Sequence, residues 1–431
     1  MSLDHLTFSL LRSIASRDWL QPALNRALAP FNPFDQRRYK DPYPLYDRAR
    51  TEPIFFHKAA QTWIVTGYDE AEEVLRGPVS VDRSHIEGIS PYNKMRQENV
   101  DLMMATMLMR DAPDHGRLRR LVNRAFSRRA IVDLEPQISI LTDELVDQLR
   151  MSGPTVDIMS EFANRLPVYV IAELLGIPKD QRDELKEMSE VVSQFVDPFL
   201  MFDPVEMDET IDNLRLMFND LAAKRLAEPA DDLLTALVQV EDDGDRLDRN
   251  ELISMALLLL IGGHETTSSL IGNSIVALSR HPGASKKLDS NPALNRNAIE
   301  EFLRYDSPVQ ATDRTVVSEF TIGDKILPVG AIVLVLFGAA NRDPRRYDNA
   351  DQLQLDRENP RPISFGHGVH HCIGAALARM ETAAAITTFV NAFPDFEVDE
   401  TKLEWRHSNT FRGPKTVPVR LNQPAVAAVA G

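Results

Sequence analysis

The sequence predicts a mainly α-helical protein with a minor β part, folded as one large domain around a long central helix. Helical periodicity dominates the first two thirds of the chain, as where Ile138, Leu141 and Leu145 fall on one helix face at spacings of three and four. Strand patterns are short and few. The 431 residues contain no low-complexity linker and no internal repeat, so we expect one domain although length alone suggests two or three of about 150 residues.

Local signals define the individual elements. Two short runs of β-branched and aromatic residues predict a hairpin, Gly and Pro end a helix, and a sustained apolar pattern predicts a helix about 45 Å long. In chain order, the predicted elements are a hairpin at 53–66, a helix at 166–175, the long helix at 250–279, strands at 320–322 and 326–337, and a helix from about 374.

Composition restricts the class of protein. The chain carries 48 Lys and Arg against 64 Asp and Glu, a formal charge of −16, which argues against a nucleic-acid binder. Its longest apolar run, 255–263, is far shorter than the roughly 20 residues that span a bilayer. The N-terminus lacks the apolar core of a signal peptide, and paired cysteines are absent. We therefore expect a cytoplasmic protein that does not insert into membranes.

Cys372 is the only cysteine, and it lies in a ten-residue run, FGHGVHHCIG, with three glycines and three histidines. A lone cysteine cannot form an internal disulfide or hold an iron–sulfur cluster. It could be a nucleophile, part of a Cys/His zinc site, a thiolate ligand to haem iron, or an inert core thiol. The zinc spacing is not the usual one, no base is specified for a nucleophile, and an inert thiol would not need these glycines.

The run 365–374, followed by Ala378, Arg379 and Glu381, resembles the haem-binding signature of the cytochrome P-450 superfamily, and is most similar to the soluble bacterial branch. The resemblance implies a P-450 haem-binding domain at 32–421, between an N-terminal extension at 1–31 and a flexible C-terminal tail at 422–431. It implies haem b with Cys372 as the axial thiolate ligand and no other metal. The expected neighbours of the haem in this loop are Phe365, Gly366 and Gly374.

The middle of the long helix contains a second unusual run, GGHETT, at 262–267. Two glycines there are costly, at about 1 kcal/mol each relative to alanine. A helix kink with Thr266 bonded to its own backbone is the plain interpretation. The run also resembles the oxygen-activation motif of the same superfamily. That match implies that Gly262 opens a groove at the haem, Glu265 supplies protons and Thr266 hydrogen-bonds to dioxygen.

Two further sets of charged residues resemble superfamily features. Glu301 and Arg304 are helix neighbours at i and i+3, and with Arg357 they resemble a buried structural set. A second set resembles the residues that bind the haem propionates, whose charge needs neutralising when it is buried. Its members are His115, Arg119, Arg314 and His370. Each residue taken singly could instead be an ordinary surface group.

The resemblance implies a haem-thiolate monooxygenase that uses O2 and two electrons to hydroxylate or epoxidise a small apolar substrate of terpenoid, steroid, fatty acyl or polyketide type. Ferredoxin and ferredoxin reductase are the expected donors, because no such module is fused to the chain, and a basic run at 117–129 could dock the donor. We expect a monomer. Candidate pocket residues, each of which could equally be core, are Met104, Met107, Phe195, Leu259, Val309 and Phe411.

Two alternatives remain open on the same fold. One is a peroxide-driven peroxygenase, against which the Glu265–Thr266 pair argues, since that variant usually lacks it. The other is a non-catalytic haem or ligand-binding protein, which would not need to keep a proton-relay pattern.

Overall fold

The computed structural model of the chain describes residues 26, 28–32, 35, 37–81, 91–197, 202–242, 244–290 and 295–422. The expected N-terminal extension at 1–31 lies mostly outside these residues. The expected C-terminal tail lies outside them except for its first residue, Asn422.

Helices form most of the described structure, as predicted. They are α1 (Arg37–Lys40), α2 (Tyr43–Ala49), α3 (Tyr68–Arg76), α4 (Gln97–Met104), α5 (Asp114–Ala125), α6 (Arg128–Val132), α7 (Glu135–Met151), α8 (Arg165–Leu175), α9 (Arg182–Val192), α10 (Pro204–Ala227), α11 (Leu233–Gln239), α12 (Arg249–Arg280), α13 (Pro282–Ser290), α14 (Asn295–Tyr305), α15 (Phe337–Ala340) and α16 (Ala375–Ala392).

The strands are short and form four small sheets. They are β1 (Ile54–His57), β2 (Thr62–Val65), β3 (Val79–Ser80), β4 (Thr155–Asp157), β5 (Ala311–Val316), β6 (Phe320–Ile322), β7 (Lys325–Leu327), β8 (Ile332–Leu336), β9 (Glu397–Val398), β10 (Glu404–Trp405), β11 (Pro414–Thr416) and β12 (Pro418–Arg420). The largest sheet has the order β1-β2-β8-β5-β3, the next β4-β12-β9, and the pairs are β10-β11 and β6-β7. The predicted hairpin at 53–66 is confirmed as the antiparallel pair β1-β2.

The long central helix is confirmed as α12, which spans 32 residues. It begins with a capping box, in which the Asp248 side chain accepts from the Glu251 amide and the Glu251 side chain accepts from the Asp248 amide. Most of its residues are buried, and the buried residues are found on every side of the helix. A helix that is apolar around its whole circumference belongs in the core, so α12 crosses the interior of the domain and packs against α8 and α16.

The predicted single strand at 326–337 is wrong. The structure has two strands there, β7 and β8, because Pro328 and Gly330, the latter with φ of +81°, form a turn between them. The strand β5, which pairs with β8 in the largest sheet, was missed. Its sequence ATDRTV carries two charged residues in the middle and lacks the apolar alternation that signals a strand.

A buried ion pair in α14 joins that helix to the segment that leads to Cys372. Arg304 and Glu301 are both fully buried, and the Arg304 guanidinium donates to both Glu301 carboxylate oxygens at 2.7 and 2.8 Å. Arg357 Nε donates to the same carboxylate at 3.0 Å. The remaining Arg304 hydrogens bind the backbone carbonyls of Asn341, Ala350 and Gln352.

The Asn341 side chain extends this network to the cysteine loop. It accepts from the Ile363 amide and donates to Ser364 Oγ, both at 2.8 Å. Ser364 Oγ in turn donates to the Leu303 carbonyl of α14 at 2.8 Å. The start of the cysteine loop is therefore fixed to α14 by hydrogen bonds that are buried and fully paired.

None of the helices in the described ranges is long and apolar enough to cross a lipid bilayer.

Arg304→Ala should destabilise the fold strongly, because it leaves the Glu301 carboxylate buried with fewer donors. We expect a loss of about 3 to 5 kcal/mol in the free energy of unfolding, measured by denaturant titration. Arg280→Ala is the matched control, since Arg280 forms a bidentate but exposed pair with Glu400 and should cost about 0 to 1 kcal/mol. Equal losses in the two variants would contradict the structural importance of the buried pair.

Candidate active site

The loop that carries Cys372 is shaped by two backbone hydrogen bonds. The Cys372 amide donates to the Phe365 carbonyl at 2.9 Å, and the Gly366 amide donates to the Ile363 carbonyl at 2.8 Å. Gly366 has φ of +70°, a conformation that glycine adopts without steric cost. The loop ends at Gly374, the N-cap residue of α16, so Cys372 lies at the start of a helix.

A cavity of about 310 Å³ is enclosed between this loop, α12 and the residues around β5. Most of the sequence-predicted site residues line it. They are His115, Arg119, Leu259, Gly262, Thr266, Val309, Arg314, Phe365, Gly366, His370, Cys372, Gly374, Met107 and Phe411. Residues that are separated by more than 250 positions in the chain therefore meet around one space.

Three predicted site residues do not line the cavity. Phe195 is 1% exposed and packs edge-to-face on Tyr92, with ring centroids 5.2 Å apart, so it belongs to the core. Met104 ends α4 and packs against the same core, while Met107 and Met109 reach the cavity. Met104 and Phe195, predicted as pocket residues, are therefore not part of the cavity wall in this structure. Glu265 is also absent from the cavity wall.

The environment of Cys372 contains opposing influences on its charge. Burial raises the pKa of the Cys372 thiol, whereas the amides of Gly374 and Ala375 and the guanidiniums of Arg119 and Arg379 act to lower that pKa. Burial has the larger effect, so the free thiol is favoured. The two amides at the start of α16 and the two cations are nevertheless suited to a thiolate that binds a metal cation.

Two histidines at the cavity wall each have a buried ring nitrogen without a hydrogen bond in the described part of the chain, although His370 Nε2 lies 3.8 Å from Asp111 Oδ1. The rings of His115 and His370 lie 4.1 Å apart, and the buried Nε2 atom of each has no hydrogen-bond partner among the described residues. Burial lowers the pKa of both, that of His370 to about 4, so both imidazoles are neutral at pH 7. Buried polar atoms are normally paired, and an acceptor in the cavity, such as a carboxylate, would pair them.

Two arginines adjoin the same wall. Arg119 donates to the His371 carbonyl at 2.7 Å and Arg314 donates to Thr312 Oγ1 at 2.7 Å, and both residues also line the cavity. Together with the two histidines they form a cationic and donor-rich edge. That edge fits the two carboxylates of a haem, and the flat, glycine-flanked loop below Phe365 fits its ring.

The ring of Phe365 is contacted by Arg379, a residue to which the signature assigned no role. The Arg379 guanidinium lies 4.4 Å from the Phe365 ring centroid and also pairs with Glu300 of α14. A cation at this distance from an aromatic face is attracted to it. Arg379 therefore fixes the orientation of the ring that faces the cavity.

The two glycines of α12 have different surroundings. A Cβ atom at Gly262 would meet no atom within 4 Å, whereas a Cβ at Gly263 would lie 2.7 Å from Cδ1 of Ile171 in α8. Gly262 thus opens α12 to the cavity, and Gly263 allows α8 to approach. Thr266 Oγ1 donates to the Gly262 carbonyl at 2.7 Å, so the expected backbone bond exists while Thr266 still lines the cavity.

The Glu265 carboxylate binds an arginine that the sequence gave no reason to select. Arg406 Nη1 donates to Glu265 Oε1 at 2.8 Å, and both side chains are largely buried. The neighbouring His264 is 1% exposed and its Nδ1 lies 2.8 Å from Ser189 Oγ. Burial and the nearby Arg406 lower the pKa of His264 to about 3, so it is a neutral core imidazole.

Glu381 is a cavity residue to which the sequence analysis gave no role. It is 1% exposed, lines the cavity from α16, and its Oε2 has no hydrogen-bond partner in the described part of the chain. Burial raises its pKa well above the ordinary value, so the side chain is a neutral acid. An available signal was its position four residues after Leu377, on the buried face of an otherwise apolar helix.

The basic run at 117–129 is largely paired within the chain. Arg117 pairs with Glu251, and both Arg120 and Arg124 pair with Asp242. These acidic partners precede or begin α12, so part of the positive charge expected on this surface is neutralised.

Metal sites built only from side chains are not found. Over the described ranges, no three His, Cys, Asp or Glu residues lie close enough together to hold a metal ion. The Cys/His zinc alternative therefore has no set of ligands among the described residues. A haem iron needs only one of these side chains, because the porphyrin supplies the other ligands.

The model of the Cytochrome P450 family matches residues 50–415. The chain belongs to the cytochrome P450 family. It is 37% identical over 400 residues to Cytochrome P450 107B1 of Saccharopolyspora erythraea, which covers 90% of this chain and 96% of the relative. It is 38% identical over 391 residues to Vitamin D(3) 25-hydroxylase of Pseudonocardia autotrophica, which covers 89% of this chain and 94% of the relative.

Solved structures agree with this assignment. P450BioI, crystallised in complex with an acyl carrier protein ligated to hexadec-9Z-enoic acid, superposes with a TM-score of 0.82 at 32% identity, covering 90% of this chain and 99% of that one. The P450 fold expected from the signature is thus confirmed. Family membership makes the protein an oxidoreductase of the haem-thiolate monooxygenase type.

The two glycines of α12 provide a matched pair of variants. Gly263→Ala should destabilise the P450 by about 1 to 3 kcal/mol, because the new methyl group overlaps Ile171 and the two helices must separate. Gly262→Ala should fold with equal or slightly higher stability, by up to about 1 kcal/mol, although its methyl group enters the cavity. Thermal unfolding of both variants checks this, and a larger loss for Gly262→Ala would contradict the packing.

Glu381 should make stability depend on pH. Its pKa is raised in the folded state, so the folded protein keeps a proton that the unfolded chain releases above pH 4.5, the ordinary value. Stability is then lost as the pH rises from that value towards the folded pKa. Glu381→Gln should remove this part of the decline, which thermal unfolding from pH 4.5 to 8 would measure. An unchanged decline in the variant would show that Glu381 is charged or solvated.

Proposed function

We propose that this P450 binds haem b through Cys372 and inserts one oxygen atom of O2 into a small apolar substrate that lies beside Thr266. The observation that carries the proposal is a single cavity. Its wall contains Cys372, the imidazoles of His115 and His370 whose buried Nε2 atoms have no hydrogen bond within the described ranges, and Thr266 of α12. Each of these features alone has another explanation, but their convergence on one space fits one cofactor.

The residues of the loop and of the cationic edge would hold the cofactor. Cys372 would bind the iron of the cofactor through its thiolate, which the amides of Gly374 and Ala375 would stabilise. His115 and Arg119 are two of the four donors that would bind the propionates. Bound haem supplies the redox chemistry, because an iron with a thiolate ligand favours O–O cleavage.

Thr266 is proposed to accept a hydrogen bond rather than only to donate one. Its hydroxyl hydrogen is engaged by the Gly262 carbonyl at 2.7 Å, which leaves the lone pairs of Oγ1 to accept from a donor in the cavity. Because this acceptor is already fixed by the fold, it can orient a hydrogen-bond donor in the cavity, and no further entropy is lost in ordering Thr266 during the reaction. Glu265, the preceding residue, is the proposed source of protons.

The proposed substrate is uncharged and apolar. Outside the donor-rich edge, most of the cavity wall is formed by aliphatic, methionine and phenylalanine side chains, of which Met107, Leu259, Val309 and Phe411 are examples. The neutral Glu381 is the one carboxyl in the described wall. Two similar proteins, one named for vitamin D(3) and one crystallised with a carrier protein ligated to hexadec-9Z-enoic acid, support apolar organic compounds as the class to test.

Ferredoxin and a ferredoxin reductase are the proposed electron donors, acting on a monomer in the cytoplasm. The single cysteine is consistent with a reducing compartment. Because Arg117, Arg120 and Arg124 pair with acids of other segments, and Arg129 pairs with Asp133, the exposed Arg128 of α6 is the most suitable charge of this run for docking an acidic donor.

Turnover with different donors tests this function. After a screen of apolar compounds for those that shift the haem spin state, product should form with ferredoxin, its reductase and NADPH. Product with peroxide alone, and none with the donors, would make the protein a peroxygenase. Spin shifts without product from either source would make it a ligand-binding protein.

Thr266→Ala should uncouple oxygen use from product formation. We expect product per NADPH to fall by about ten-fold or more, with peroxide rising correspondingly, while haem content and the ligand spin shift stay unchanged. Thr266→Ser keeps the hydroxyl and should recover most of the coupling. Full coupling in Thr266→Ala would remove Thr266 from the mechanism.

A further inference from the structure

A small polar pocket is lined by Arg406, the residue that pairs with Glu265, and it is distinct from the haem cavity. It has a volume of about 10 Å³, the size needed for one water molecule, and Arg406 and Asn409 are among the residues that line it. Arg38, Tyr39 and Ser408 complete its polar wall. The pocket shares Phe411 with the haem cavity, so one aromatic side chain separates the two spaces.

Glu265 is attached to the residues of this pocket rather than to the cavity. Arg406 Nη1 holds its Oε1 at 2.8 Å, while Oε2 has no hydrogen-bond donor in the described part of the chain. The hydroxyl of Thr266 is directed to the Gly262 carbonyl and not to the acid. In this conformation the acid and the hydroxyl of the proton-relay pair are therefore not bonded to each other.

Several buried polar atoms around this ion pair have no protein partner among the described residues. They are Arg406 Nε, Asn409 Oδ1, Ser269 Oγ and Trp405 Nε1. Ser269 is one helix turn after Glu265 on α12, and its hydroxyl is in close contact with Gly413 of the C-terminal segment. Buried groups of this kind are generally satisfied by ordered water, and water bound to Arg406 or Asn409 would be available to conduct protons towards the Arg406–Glu265 pair.

Arg406 itself cannot pass a proton, because a guanidinium stays protonated and has no acceptor. Its contribution must be positional. We propose that Arg406 is the positioning residue for Glu265: it holds the carboxylate at the Arg406–Asn409 pocket, where protons enter from water, and Glu265 carries them to Thr266. The inference rests on the proposed function, in which Glu265 is the proton source.

The test compares variants of the haem-loaded enzyme with its electron donors and a spin-shifting substrate. Arg406→Gln should lower coupled product formation by about ten-fold and raise the solvent isotope effect on turnover about two-fold, and Glu265→Gln should have the same two effects. Arg406→Lys should recover most of both, since an ammonium can still pair with the carboxylate. Substrate affinity from the spin shift and the CO-bound spectrum should stay at wild-type values.

Arg280→Gln is the control, because it removes another ion-paired arginine from the end of the same helix. If Arg406→Gln behaves like Arg280→Gln while Glu265→Gln is impaired, Arg406 has only a structural role and the inference is overturned. If Glu265→Gln is itself unimpaired, the proposed proton source fails and the inference fails with it.

A second variant covers the case in which Arg406→Gln does not fold. Asn409→Leu keeps the ion pair but fills the pocket with an apolar side chain, and it should raise the solvent isotope effect in the same direction. A wild-type isotope effect in Asn409→Leu would overturn the pocket as the entry point for protons.

Discussion

The buried ion pair between Glu301 and Arg304 is the interaction on which the geometry of the site depends. Its two side chains have no exposure to solvent, so each charge requires the other and requires a full set of hydrogen bonds. The guanidinium obtains the rest of its bonds from backbone carbonyls at Asn341, Ala350 and Gln352. A pair that is costly when incomplete thus fixes the path of the chain before the cysteine loop.

The consequence of that fixed path is a rigid position for Cys372. Asn341 and Ser364 connect the ion-pair network to the first residues of the loop, and Arg379 holds Phe365 from the other end. Across the cavity, most residues of α12 are buried, so packing holds this helix on several sides. The space between a fixed sulfur and a fixed groove is then set by the fold and not by the ligand.

Much of this arrangement could be predicted from the sequence because its signals are local. The run around Cys372, the period of α12 and the hairpin at 53–66 each depend on residues near in the chain. The strand β5 was missed because Asp313 and Arg314 hide its pattern. The partner of Glu265 was also missed, since Arg406 is 141 residues away and only tertiary packing brings it there. Met104 and Met107 are only three residues apart in the chain, so composition alone cannot tell which of the two side chains faces the cavity.

The absorption spectrum of the reduced, CO-bound protein tests the central claim most directly. Haem iron held by the Cys372 thiolate predicts a strongly red-shifted Soret band in the wild type, and Cys372→His, which supplies an imidazole instead, should lose that shift while still binding haem. A wild-type spectrum without the shift, or a Cys372→His spectrum that retains it, would contradict the assignment of Cys372 as the iron ligand.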